Sequence, residues 1–141
     1  MRITQRIFDE LRNRFPIPPP EQGGILGMKN GIICAYYHDA SGSVTDRAVY
    51  EPDVETLNRV IAAWEEQNIQ WIGLVHSHLS GQTSLSTSDK HYIRSVFTAL
   101  PEQVEHLYFP IVLPGEGYII PFIAKRNGED VRIRRDEIQI V

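Results

Sequence analysis

Apolar residues along the chain recur at two spacings, and the change from one to the other divides it into helices and strands. Ile3, Ile7, Phe8, Leu11 and Phe15 fall on one side of a helix, with Arg, Asp and Glu opposite. This predicts a helix over 3–15, ended by Pro16. A second helix is expected to begin at Glu51-Pro52-Asp53, with Asp53 or Glu51 near its cap. It would bury Val54, Leu57, Ile61 and Trp64 and stop near Asn68. Following Asp89, a third helix shows the i, i+3, i+4, i+7 face of Ile93, Val96, Phe97 and Leu100, closed by Pro101.

Between these lie strand-like runs. Residues 22–28 (QGGILGM) and 32–37 (IICAYY) flank an Asn30-Gly31 pair suited to a tight hairpin. Glycines 23, 24 and 27 would weaken an ordinary strand, which points to close approach of another backbone or a ligand. Residues 38–45 read as a polar turn and 47–50 as a short strand. The run 69–75 (IQWIGLV) is apolar almost throughout, as expected of a central strand covered on both faces. Later strands are expected at 107–113, 118–124 and 131–134, with 137–141 as a last extended piece. Pro110 and Pro121 should confine their segments to sheet edges or bulges. The PIPPP run at 16–20 forms a stiff, extended connector.

With 141 residues, 42% of them hydrophobic, the chain has material for one core and one domain spanning 1–141. The net charge of −4 argues against a general nucleic-acid binder and against an anionic membrane surface as partner. Cys34 is the only cysteine, so no internal disulfide can form, and it reads as a buried strand residue rather than a nucleophile served by His38. The first fifteen residues are charged throughout, unlike a signal peptide, and no run reaches the length of a membrane-spanning helix. A cytoplasmic location is the expectation.

Chemistry concentrates in residues 76–89, HSHLSGQTSLSTSD. His76 and His78 stand two apart at the end of the predicted central strand, which turns both imidazoles to one face. Two imidazoles can grip one metal ion, and Asp89, beyond a Ser-, Thr- and Gly-rich loop, is the natural third ligand. Three protein ligands would leave a position open for water, as catalytic zinc sites do. The same residues also read as a strand end with surface histidines followed by a capping box, Ser86 capping and Asp89 at the third helical position. His91, in the first turn of that helix, competes with Asp89 as a ligand but reads more simply as a surface residue. Glu21, just after the prolines, would alone be an exposed acid.

Taken together, Glu21 with QGGILG, then strand, helix and strand, then His76-Ser77-His78 and Ser86-Thr87-Ser88-Asp89 resemble the JAMM (MPN-plus, JAB-domain) metalloprotease pattern. The likeness runs from about Glu21 to Leu113 and is to the compact prokaryotic type. It implies an α/β (α+β) domain of MPN/JAB type, cytidine-deaminase-like, with a mixed sheet flanked by about three helices. It implies Zn2+ held by His76, His78 and Asp89, with Glu21 as general base and Ser86 stabilising the oxyanion, a contribution of ~3 kcal/mol in comparable sites. Ser77, facing away from both histidines, would support the site rather than act in it. Leu79 stands where many members have proline, and the loop 79–85 is the segment expected to move on substrate binding. The implied activity is that of an isopeptidase or peptidase cutting after the C-terminal tail of a ubiquitin-like or sulfur-carrier protein, the tail lying beside the site as an added strand. Activating and conjugating enzymes are the implied associates. Two other readings use the same fold: a non-catalytic scaffold in a multiprotein assembly, and a zinc hydrolase of a small amide.

Overall fold

The computed structural model describes residues 1–18, 20–40, 43–44 and 50–141. Pro19 of the proline run, residues 41, 42 and 45 of the predicted turn and residues 47–49 of the short strand lie outside the described residues. The element order is β1 (Arg2–Ile3), α1 (Gln5–Arg14), β2 (Gly23–Lys29), β3 (Ile32–His38), β4 (Ser43–Val44), β5 (Tyr50–Glu51), α2 (Val54–Glu66) and β6 (Gln70–Ser77). There follow α3 (Thr87–Ala99), β7 (His106–Tyr108), β8 (Ile111–Leu113), β9 (Tyr118–Ile120), β10 (Phe122–Asn127), β11 (Asp130–Arg135) and β12 (Gln139–Ile140). One mixed sheet runs β11-β10-β7-β6-β2-β3-β1-β12, with β8 and β9 branching from β6, and β4 pairs with β5 separately.

Helices cover both faces of the sheet. Leu57 and Trp64 of α2 and Ile93 and Phe97 of α3 pack with Ile25 and Leu74 in one apolar cluster. Ile7 and Leu11 of α1 pack with Leu26, Ile72 and Val75 in another. The apolar run of β6 thus feeds two cores, the arrangement expected of a strand covered on both sides. Among the described residues the fold is α+β, a mixed sheet with three helices. Among the described residues no helix is long and apolar enough to cross a membrane.

Local chemistry explains most element ends. The β2–β3 hairpin turns through Asn30 and Gly31, both at positive φ (53° and 77°), as a type I′ turn requires. Asp53 caps α2, its side chain accepting from Thr56 N, and Asn68 at φ 59° turns the chain after the helix. Ile3, expected within the first helix, instead lies in β1, fully buried and paired with Ile33. Thr4 caps α1 by accepting from Ile7 N, so the helix begins after it. Val54 is 60% exposed rather than part of the buried face. Standing first in α2, it walls an open groove between α2 and α3 instead.

The predicted strands 107–113 and 118–124 are each two strands. Pro110 and Pro121 offer no N–H to a ladder, and the chain changes partner at each. β7 pairs with β10, β8 with β9, and both run parallel to β6, so β7 and β8 are interior rather than at an edge. Cys34 is half-buried, on β3.

Gly73, opposite Tyr108 in the β6–β7 pair, leaves no room for a side chain: a Cβ there would overlap the Tyr108 carbonyl. Backbone on both strands would have to move. Gly73→Ala is expected to cost ~3 kcal/mol or more, measured from the midpoint of denaturant unfolding. An unchanged midpoint would mean that β6 and β7 are not packed this closely.

Candidate metal centre

The site forms where β6 runs out and α3 begins. His76 is on β6, His78 one residue beyond it, and Asp89 in the first turn of α3. Their side chains converge. His76 Nε2 lies 2.8 Å from His78 Nε2, and Asp89 Oδ2 lies 3.4 Å from the first and 3.2 Å from the second. Both imidazoles and the carboxylate are largely withdrawn from solvent, with side-chain exposures of 15%, 5% and 17%. Two nitrogens and an oxygen within 4.8 Å of one another can hold a metal ion.

Each member is held by bonds to the chain around it. His78 Nδ1 donates to the Gln82 carbonyl at 3.1 Å, so the neutral ring carries its proton there and leaves the Nε2 lone pair facing the cluster. Ser86 and Asp89 form a reciprocal capping box: Asp89 N donates to Ser86 Oγ at 3.0 Å, and Ser86 N donates to Asp89 Oδ2 at 2.9 Å. The capping and metal readings of these residues are therefore compatible, since the box orients the carboxylate. Burial opposes the charge on Asp89, but the bonds from His76 and His78 outweigh it and hold the carboxyl well below the usual range. Burial likewise opposes protonation of His78, but Asp89, the Gln82 carbonyl and Glu21 together raise its pKa.

Glu21 does not bond to the three ligands, but it lines a cavity of about 310 Å3 with His76 and Asp89. Leu74, Tyr92, Ile93 and Phe109 make that cavity's wall largely apolar. Ser86 is exposed and sits beside the cavity through its bonds to Asp89, whereas Ser88 lines it. Ser77, fully buried, accepts from Gln22 N at 2.9 Å, and its own N–H donates to the Gln22 carbonyl at 2.9 Å. The residue after Glu21 is thereby stapled to the residue between the two histidines. His91 is exposed on α3 and takes no part in the cluster. The glycines on β2 make room for protein: a Cβ at Gly23 would strike the Tyr50 ring, which walls the cavity.

His38, at the end of β3, is engaged at both nitrogens. Nε2 donates to Gln22 Oε1 at 2.8 Å and Nδ1 accepts from the Tyr36 hydroxyl at 2.7 Å. Burial, then the Arg14 charge, lower its pKa from the ordinary 6.5, against a smaller opposing effect of Asp39. The folded protein then binds fewer protons at His38 than the unfolded chain, so this residue's contribution to stability is present above pH 6.5 and lost as pH falls toward the lowered folded value. Urea midpoints between about pH 5 and pH 7 should fall more steeply for the natural protein than for His38→Gln. Equal slopes would show that His38 titrates normally.

No family model matches the chain, and no curated protein does. Among solved structures, it is similar to the solution structure of protein DSY2949 from Desulfitobacterium hafniense. The TM-score is 0.66 over 99% of this chain and 92% of that one, at 18% identity. At that identity the likeness is one of fold.

Proposed function

We propose that the protein is a zinc-dependent peptidase or isopeptidase of the JAMM (MPN-plus) type, acting after the C-terminal tail of a ubiquitin-like or sulfur-carrier protein. The observation that carries this reading is the convergence of His76, His78 and Asp89, of which His76 and Asp89 line a cavity whose wall Glu21 shares. Zinc suits the donor set. Tetrahedral Zn–N and Zn–O bonds of ~2.0–2.1 Å put two ligand atoms about 3.3 Å apart. The separations of 2.8, 3.2 and 3.4 Å lie around that value.

Bound there, zinc would act as a Lewis acid toward water and the scissile carbonyl. The remaining roles belong to the chain. Glu21 takes a proton from the attacking water and delivers it to the leaving nitrogen. The Ser86 hydroxyl, whose oxygen accepts from Asp89 N, keeps its hydrogen to donate to the developing oxyanion. The Gln82 carbonyl and the capping box hold His78 and Asp89 in place before substrate arrives. The apolar wall of Leu74, Phe109 and Ile93 excludes water around the tail.

The test is hydrolysis. Zinc-loaded protein is incubated with ubiquitin-like proteins extended beyond their C-terminal tails, and the products are weighed by mass spectrometry. A chelator-sensitive cut directly after the tail is the expected result. Intact substrates across the panel would overturn the reading and direct attention to the scaffold role.

A further inference from the structure

β11 stands at one end of the sheet and pairs with β10 alone, so among the described residues its outer edge has no strand beside it. An antiparallel strand turns alternate N–H and C=O groups outward. Six residues of β11 therefore offer a free backbone edge on which another chain can pair.

The two faces of the sheet differ at this edge. Side chains directly opposite each other on neighbouring strands share a face. Leu107, Ala124 and Val131 lie on the face that α3 covers and are buried with its Phe97. Arg126 also turns to α3, where it donates to the Phe97 and Leu100 carbonyls at the helix end. On the other face His106, Lys125 and Arg132 stand in one cross-strand row, and Tyr108, Ile123 and Arg134 in the next. Lys125, Arg132 and Arg134 are exposed and, among the described residues, make no ion pair or side-chain hydrogen bond. Asp136, close enough to feel the Arg134 charge, is already held by the Met1 ammonium at 2.6 Å. Residues 122–135 contain five of the chain's 14 lysines and arginines but two of its 18 acids, so a cationic hairpin edges an otherwise acidic chain.

We infer that the β11 edge docks an extended acidic segment of a partner protein as an added strand, with acids at alternate positions. The free backbone groups of β11 take the ladder bonds. Acidic side chains two apart face Arg132 and Arg134. The residue between them points to the α3 side, beside half-buried Ile133, where an apolar side chain fits. The occupant is thus a segment patterned acid, apolar, acid. A second copy of β11 does not suit, because pairing about a two-fold axis sets arginine against arginine. A long polyanion such as single-stranded nucleic acid matches the cations but leaves the backbone edge unpaired, and the net charge of −4 repels it. Charges on an edge strand also deter aggregation, but that role demands no periodic match in a ligand. No residue of the metal centre takes part, so the docking edge stands or falls apart from the hydrolase reading.

Two end-blocked fluorescent peptides of one composition test this, one alternating glutamate with valine and one with its glutamates grouped together. At low ionic strength the alternating peptide should bind the full chain roughly tenfold more tightly than the grouped one. It should also shift the backbone amide NMR signals of residues 130–135 and leave those of residues 76–89 in place. Arg132→Glu combined with Arg134→Glu should lose the acidic peptide and take up one alternating lysine with valine, a gain that only a folded β11 edge can show. Both side chains are exposed, so the urea midpoint of this variant should stay close to that of the natural protein. Equal affinity for alternating and grouped peptides, or shifts centred away from β11, would overturn the inference. So would tighter binding of a single-stranded oligonucleotide than of the acidic peptide. No binding by the natural protein, with aggregation of the charge-reversed variant as the sole change, would reduce the arginines to guards of the edge.

Discussion

Replacing His76 and His78 together with alanine is expected to take bound zinc from about one per chain to none, by elemental analysis after zinc loading and removal of loose metal. The two imidazoles supply two of the three donor atoms in the cluster, and a lone carboxylate on a helix end holds zinc far too weakly to survive exchange. Thermal unfolding should report the same loss. With zinc at a hundredfold excess over its dissociation constant, binding adds ~2.7 kcal/mol to the natural protein, roughly 5–10 °C in Tm. The variant should show no zinc-dependent shift. Because Asp89 loses its neighbours in this variant, Asp89→Asn is a useful companion: it keeps the size of the side chain and both histidines but removes the charge. It should weaken zinc binding while disturbing the metal-free fold less. Zinc retained by the double variant would place the metal elsewhere and remove the ground for a metallohydrolase.

The cluster is open to sequence reading because of how its parts are spaced. His76 and His78 end an apolar strand whose period of two turns both to one side, and Ser86 and Asp89 announce a helix start, so strand end and helix start can be placed without seeing the fold. The bonds that orient them cannot. Gln82 holds His78 through its main-chain carbonyl, a group every residue carries. Ser77 and Gln22 meet across 55 residues, and Tyr50, Tyr92 and Phe109 come to the cavity from separate elements. No local pattern encodes such meetings.

The fold divides in a similar way. Faces of α1, α2 and α3 follow from periodicity, because burial selects one side of each helix. Ile3 departs from expectation because it stands four residues before Ile7 and fits the helical stripe equally well; only the neighbouring strands decide for β1. Pro110 and Pro121 do interrupt their runs, but whether a proline ends a sheet or marks a change of partner within it depends on strands far away in sequence. Such choices are settled by tertiary pairing.

Glu21→Gln is expected to lower kcat by ~10²- to 10⁴-fold, with KM little changed and about one zinc per chain retained. Glutamine has nearly the shape of glutamate and can accept a hydrogen bond, but it cannot carry a proton from water to the leaving nitrogen. The separation of effects follows from position. Glu21 shares the cavity wall with His76 and Asp89 but is not one of the converging donors, so metal stoichiometry should not move with it. Single-turnover measurements would place the loss in the chemical step rather than in product release. A rate within tenfold of the natural protein would take Glu21 out of proton transfer. Lost zinc together with lost activity would instead make it a fourth ligand, closing the position that hydrolysis needs open.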